Sequence, residues 1–310
     1  MTAGFRIGVD LGGTKIEAAA IDRGGSVRER RRIATPVGDY AGTIDAVVGL
    51  VRGIEAALDG RMTVGIGIPG TLAAPTGLVK NANSTWLIGK PLGRDLEAAL
   101  DRPVRLANDA NCFALSEASD GSAAGCDSVF GVILGTGVGG GVVIGGRIVA
   151  GANSIAGEWG HNPLPWPRTD ELPGPRCYCG QSGCIETFLS GPGLTADHQR
   201  HGGGHLDGAD IAAGAASGDA ACRATFDRYA ERLARALASV INIIDPEVIV
   251  LGGGLSAIAE LYDAVPRLWG RYVFSDEVVT RLLPPKHGDS SGVRGAAWLW
   301  RPEEAPEGPS

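Results

Sequence analysis

This 310-residue sequence predicts an α/β fold. Short apolar strands alternate with segments of helical period through its first half, the pattern of layered sheets and helices. Three glycine-rich turns each follow an apolar strand. The strand, glycine turn, strand unit at Asp10-Leu-Gly-Gly-Thr-Lys15 returns around Gly135-Thr-Gly137, which implies two similar domains facing each other across a cleft.

The elements follow in order. Phe5–Asp10 reads as a buried strand, Leu11–Thr14 as a tight turn and Lys15–Ile21 as a returning strand. The basic run Arg28-Glu29-Arg30-Arg31-Arg32 reads as a solvated edge. Residues 41–58 place Ile44, Val47, Val48, Val51, Ile54 and Leu58 at helical spacing. Met62–Ile68 is a short strand ending at Pro69-Gly70, Val104–Ala107 is another, and Asp109–Glu117 is helical. Ser128–Leu134 is a strand, Gly135–Gly141 a turn, Val142–Ile144 a returning strand, and Gly145-Gly146 a hairpin. A long helix is expected over 219–245, then the strand Val248–Leu251 running into Gly252-Gly253-Gly254. Gly292–Trp300 forms a final helix, and Arg301–Ser310 is expected to be a disordered tail. The domains are expected at 1–117, closed by the helix 290–300, and at 118–289.

A hydrophobic share of 44% and a charged share of 20% suit one large core or two medium ones. The net charge of -7, without a Lys/Arg stripe, argues against a nucleic-acid surface. No apolar run approaches the roughly 20 residues that span a bilayer, and no charged-then-apolar leader opens the chain. The expectation is a cytoplasmic protein with neither membrane nor nucleic-acid partner. Cys112, Cys126 and Cys222 are expected as buried thiols. His198, His201 and His205 surround a glycine run, read as a flexible loop in preference to a second metal site.

Cys177-Tyr-Cys179-Gly-Gln-Ser-Gly-Cys184-Ile-Glu186 carries the most chemistry. Half of the six cysteines sit there as C-x-C-x4-C, and Gly180 and Gly183 let the loop fold back. Three thiolates need a fourth ligand to close a tetrahedral zinc site, and His161 is the nearest candidate upstream. The other reading is three reduced thiols in a surface loop. A zinc here would hold Glu158 and Glu186 in fixed places, shaping a pocket without doing the chemistry.

Backbone N–H groups at the glycine turns can cradle phosphate oxygens. None of the turns is a P-loop or a dinucleotide fingerprint. Asp10 is placed to hold hydrated Mg²⁺ against nucleotide phosphates, and Lys15 either meets those phosphates or is a solvated strand residue. Asn108-Asp109 opens a helix. Asp109 is either its N-cap or a general base accepting a hydroxyl proton during phosphoryl transfer.

Taken together, Asp10-Leu-Gly-Gly-Thr-Lys15, Gly67-Ile-Pro-Gly70, Asn108-Asp-Ala110, Gly135-Thr-Gly137, Gly157-Glu-x-x-His161 and Cys177-x-Cys-Gly-x-x-Gly-Cys-x-Glu186 resemble the ordered signature of the ROK (repressor, open reading frame, kinase) sugar kinases. The resemblance covers residues 5 to about 300, and the cysteine segment is its most specific part. Val79–Leu87, Ala156–Trp166 and Lys286–Trp298 are most similar to bacterial fructokinases of the manno(fructo)kinase type.

The resemblance implies an actin/hexokinase-like (ribonuclease H-like) fold and ATP-dependent conversion of D-fructose to fructose 6-phosphate, with Mg²⁺ and a structural zinc. It makes Asp109 the base. It assigns Gly70, Asn83, Asn108, Asp109, Glu158, His161 and Glu186 to the sugar, with one ring nitrogen of His161 on zinc and the other toward a sugar hydroxyl. Gly8, Asp10, Gly12, Gly13, Thr14, Lys15, Gly135, Thr136, Gly137, Gly139, Gly252, Gly253 and Gly254 would face the nucleotide, and His161, Cys177, Cys179 and Cys184 the metal. A homodimer is implied as well. Glucose, mannose and N-acetylglucosamine are the alternative acceptors. A non-catalytic sugar sensor or repressor is disfavoured, because the first phosphate turn begins by residue 10 and Asp109 is present.

Overall fold

The computed structural model describes residues 4–305. In chain order the elements are β1 (Arg6–Leu11), β2 (Lys15–Ile21), β3 (Val27–Ala34), α1 (Tyr40–Leu58), β4 (Thr63–Ile68), β5 (Thr71–Leu72), β6 (Val79–Lys80), α2 (Leu92–Leu100), β7 (Val104–Asn108), α3 (Asp109–Ser119), β8 (Ser128–Leu134), β9 (Val138–Ile144), β10 (Arg147–Ile148), α4 (Glu186–Leu189), α5 (Gly191–Arg200), α6 (Gly208–Ala216), α7 (Ala220–Ile244), β11 (Val248–Gly252), α8 (Leu261–Trp269), β12 (Arg281–Leu283) and α9 (Ser291–Trp298). Among the described residues, no helix is long and apolar enough to cross a membrane.

The chain forms two compact units. The first comprises residues 1–125, 146–156 and 289–310; the second comprises 126–145 and 157–288. The expected break after residue 117 thus falls eight residues later, because the turn following α3 stays bonded to it: Ala123 N–H donates to Glu117 O. Residues 146–156 also join the first unit instead of the second, with β10 against α3.

In the first unit the sheet runs β3-β2-β1-β4-β7. Strands β1, β2 and β3 pair antiparallel, whereas β1, β4 and β7 are parallel. The run 28–32 is on edge strand β3, where its arginines pair with acids: Arg30 and Arg32 both reach Glu17, and Arg28 reaches Asp22. Asp39 caps α1 by accepting from Gly42 N–H, and Val47, Val51 and Ile54 bury its stripe in the core. Helix α9 lies on bare glycines of the sheet. A Cβ on Gly8 would come 1.9 Å from Val293 O, and one on Gly65 1.8 Å from Ala296 O. Gly8 is therefore a buried packing position beneath α9 and does not face a nucleotide. The described part of the expected tail is ordered too: Pro302–Glu304 is a 3-10 turn, and Glu304 pairs with Arg105. Residues 306–310 lie outside the described residues.

The second unit repeats the last four places of this order as β9-β8-β11-β12, with β8 and β9 antiparallel and β8, β11 and β12 parallel. Residues 138–141, expected in a turn, belong to β9 instead. The glycines serve a close approach: a Cβ on Gly140 would sit 2.9 Å from Trp159 Cδ1 and 2.8 Å from Gly157 O. His198 is likewise no loop residue. It is buried in α5 and its Nδ1 lies 2.9 Å from Thr225 Oγ1. Cys112 and Cys222 are buried as expected, but Cys126 is half-buried, 3.1 Å from Arg281 Nη2.

A buried ionic network secures α7. Arg232 and Arg235 both donate to Glu171, at 2.7 and 2.8 Å, and Arg232 also donates to Asp197 at 2.8 Å. Burial alone would raise the Glu171 carboxyl; the hydrogen bonds from Arg235 and Arg232 outweigh it and hold it at about 2. A depressed carboxylate contributes stability that is complete above its ordinary pKa, 4.5, and is lost as the pH falls through about 2. Glu171→Gln should cost about 2 kcal/mol at neutral pH, the scale of hydrogen bonds to a charged group. Urea titrations at pH 7 and pH 3 check this: the gap between wild type and variant should narrow at the lower pH.

Candidate active site

In the first unit the turn between β1 and β2 is fastened from below. Thr35 donates its hydroxyl to Gly12 O at 2.7 Å, and its N–H to Thr14 O. Gly13, Thr14 and Lys15 are left exposed. Ser84 Oγ lies 3.7 Å from where a Cβ on Gly13 would be, so this turn and the 81–84 segment adjoin. Asn83 is exposed there. Gly70, at φ +76°, closes tightly on the β5–β6 hairpin: a Cβ would come 2.4 Å from Lys80 O.

Asn108 is the residue that caps α3. Its Oδ1 accepts from Ala110 N–H at 2.9 Å, and its Nδ2 donates to Gly70 O at 3.0 Å. Asp109 is thereby relieved of the capping role that its sequence position allowed. It stands one residue further in, solvent-accessible, with Oδ1 accepting from Ala110 N–H at 2.8 Å. The protein mass around Asp109 pushes its carboxyl upward, an effect tempered where water reaches it; the hydrogen bonds from Ala110 and Asn108 pull it down. Asp10 is half-buried next to it. Burial pushes Asp10 up to about 6, and the charges of Asp109 and Glu17 add to the shift. Two carboxylates in one field form a hard oxygen donor set that a divalent cation would relieve, which fits Mg²⁺.

In the second unit the glycine turns stand at the C-terminal ends of parallel strands β8 and β11, the end where α/β sheets place ligands. Glu186 holds the first of them. Its Oε2 accepts from Val138 N–H at 3.0 Å, and a Cβ on Gly137 would lie 2.7 Å from the same oxygen. Gly191 N–H donates to Gly135 O, so the N-termini of α4 and α5 both fasten residues 135–138. Thr136 is exposed. Gly139 lies in β9, where its carbonyl accepts from the Trp159 indole at 2.9 Å. Gly253, at φ +78°, packs on Leu134 O, where a Cβ would be 2.5 Å away; Gly254 is exposed beside it and Gly252 is buried at the end of β11.

His161, Cys177, Cys179 and Cys184 converge: their ligand atoms all lie within 4.8 Å of one another. Gly180 and Gly183 take φ of +93° and +74°, and Leu164 N–H to Gly183 O ties the folded loop to the segment that follows His161. Cys177 Sγ is 3.6 Å from His161 Nδ1, and Cys179 Sγ is 3.6 Å from Cys184 Sγ. Ligands at tetrahedral zinc distances are separated by roughly 3.5–3.8 Å. The cluster therefore fits that ion in number, type and spacing. Glu158, solvent-exposed, and Glu186 flank it in the chain.

The Nε2 of His161, assigned to a sugar hydroxyl, lies 3.0 Å from the hydroxyl of Tyr178.

The ROK family model matches residues 6–303. The N-acetyl-D-glucosamine kinase of Escherichia coli O127:H6 is 41% identical over 296 residues, covering 94% of this chain and 98% of that one. Its counterpart from Escherichia coli O9:H4 is 42% identical over 300 residues, with the same coverage. Among solved structures, the ROK hexokinase from Thermus thermophilus matches with a TM-score of 0.85 at 32% identity, over 96% of this chain and 98% of that one. A ROK family glucokinase from Streptomyces griseus, in complex with glucose and AMPPNP, matches at 0.75 and 30%, over 96% and 99%. With the family model and both kinds of relative spanning nearly its whole length, this chain belongs to the ROK family and is a sugar kinase of the actin/hexokinase-like fold.

Proposed function

We propose that the protein transfers the γ-phosphoryl group of ATP to the 6-hydroxyl of N-acetyl-D-glucosamine. The observation that carries this reading is identity of 41–42%, along 94% of the chain, to N-acetyl-D-glucosamine kinases. It outweighs the likeness to fructokinases, which rested on three short stretches. Fructose gives way to the amino sugar, one of the alternatives kept beside it.

Asp109 is the general base. Its Oδ1 is held by Ala110 N–H, which aims the carboxylate before substrate arrives. A sugar hydroxyl is a poor nucleophile at neutral pH, and the carboxylate orients it and takes its proton as the new P–O bond forms. The turns at Gly12–Thr14 and Gly135–Gly137, where Gly13, Thr14 and Thr136 are exposed, would supply N–H groups for phosphate oxygens. Asp10 would hold Mg²⁺, which when bound offsets phosphate charge. Glu158 and Glu186 bind sugar hydroxyls, and His161, Cys177, Cys179 and Cys184 hold a structural zinc with no open coordination position.

An acceptor series with ATP and Mg²⁺ tests the reading. kcat/KM for N-acetyl-D-glucosamine should exceed that for glucose, mannose and fructose by about 100-fold, roughly 2.7 kcal/mol of differential transition-state binding. A higher kcat/KM for fructose or glucose would overturn the acceptor while leaving the kinase intact.

A further inference from the structure

The glycine turn between β1 and β2 leaves two donors open. Among the described residues, neither Gly13 nor Thr14 donates its N–H to another group of the protein. The turn is held instead through its carbonyls, and both bonds come from one residue, Thr35. Thr35 follows β3 and is buried, with its three polar groups all engaged. Its N–H donates to Thr14 O at 3.0 Å, its hydroxyl donates to Gly12 O at 2.7 Å, and its carbonyl accepts from Val37 N–H at 2.9 Å.

The sequence makes Thr35 stiff. Pro36 follows it and drives the backbone before it into extended conformations. Its β-branched side chain has few χ1 choices. The β2–β3 ladder closes at the Lys15–Ala34 pair, so Gly12 lies beyond the reach of any strand bond. The hydroxyl of Thr35 makes the connection that the ladder cannot.

The consequence is directional. The Gly12–Gly13 peptide is trans, so its C=O and N–H point opposite ways. With Gly12 O turned onto the Thr35 hydroxyl, Gly13 N–H is turned away from Thr35. Gly13 is exposed. An N–H without a partner in the chain, held in one direction on an exposed turn, is a preset donor for an anion. Without the hydroxyl the peptide is free to rotate. Its carbonyl, which repels phosphate, then competes for the place of the N–H.

We propose that Thr35 is a positioning residue for the nucleotide: its hydroxyl fixes the Gly12–Gly13 peptide so that Gly13 N–H donates to a phosphate oxygen. The inference rests on the kinase reading, in which the turn at 12–14 meets phosphate.

Thr35→Val removes the hydroxyl and keeps the shape, the β-branch and the N–H. Affinities for AMPPNP with Mg²⁺ and for N-acetyl-D-glucosamine are measured by calorimetry, each ligand alone, beside steady-state kinetics. Kd for AMPPNP and KM for ATP should rise about 10-fold, the lower end for a hydrogen bond to a charged group. kcat should hold within about 3-fold, because the contact is made before transfer as well as during it. Sugar Kd should change less than about 2-fold, since Thr35 bonds to no residue assigned to the sugar. Thr35→Ser restores the hydroxyl and should return AMPPNP affinity to within about 3-fold of wild type, the shortfall reflecting lost χ1 stiffness. Unchanged AMPPNP affinity in Thr35→Val, equal losses for sugar and nucleotide, or a Thr35→Ser protein no better than Thr35→Val would each overturn the assignment. If Thr35→Val does not fold, Thr35→Ala, which also lacks the hydroxyl, carries the same test. If neither folds, the hydroxyl serves the fold and the assignment falls. The kinase reading fails separately, on a wild-type protein that neither binds AMPPNP nor turns over ATP.

Discussion

Asp109→Asn is expected to lower kcat by roughly 10²-fold or more, the usual scale for a positioned general base. The asparagine keeps the shape and the acceptor for Ala110 N–H but cannot take a proton from the sugar. Sugar affinity should change little. Stability should change less than a helix cap would predict, because the cap is Asn108, whose side chain accepts from Ala110 and Asn111. Asp109 contributes only its favourable charge at the helix N-terminus, about 0.3–1 kcal/mol. Asn108→Ala should show the reverse order, with about 1 kcal/mol lost from the missing cap. Steady-state kinetics and thermal melts on the two variants separate the roles. Turnover within a few-fold of wild type for Asp109→Asn would remove the residue from the mechanism.

Loss of the zinc is expected to have the largest effect on stability. Cys184 is buried in the cluster, and the helix it precedes carries Glu186, which holds Val138 N–H. Cys184→Ala should abolish stoichiometric zinc. It should lower Tm by about 10 °C or more, taking a structural site as worth several kcal/mol and each kcal/mol as roughly 2–4 °C. Affinity for both substrates should weaken, the sugar through Glu186 and the nucleotide through the turn at 135–138 that the same carboxylate fastens. The purified wild type should contain one zinc per chain by metal analysis. A zinc-free wild-type enzyme with full activity would remove the metal from the account.

Glu186 shows what the sequence made legible. Its place two residues after Cys184 puts it next in the chain to the His161–Cys177–Cys179–Cys184 cluster, and Gly180 and Gly183, expected to fold the loop back, take positive φ. The repeated strand, glycine turn, strand unit likewise announced two sheets of the same strand order. Where local reading failed, the cause was tertiary. Glycines 139–141 look like a turn, but they lie in β9, where Gly140 is bare so that Trp159 and Gly157 can approach. The resemblance set Gly8 toward the nucleotide, yet its missing side chain makes room for α9, some 285 residues later in the chain. Asn108 and Asp109 are both good caps, and only the backbone geometry decides between them. The Glu171–Arg232–Asp197 network joins residues far apart in the chain, and no spacing rule could pair them.

The central claim is phosphoryl transfer from ATP to an amino-sugar hydroxyl. Phosphorus NMR of a reaction of the purified protein with ATP, Mg²⁺ and N-acetyl-D-glucosamine tests it most directly. The account predicts one sugar 6-phosphate monoester for every ADP formed, with no inorganic phosphate in excess. ADP accompanied by inorganic phosphate alone, or ATP left intact while the zinc site is full, would contradict it.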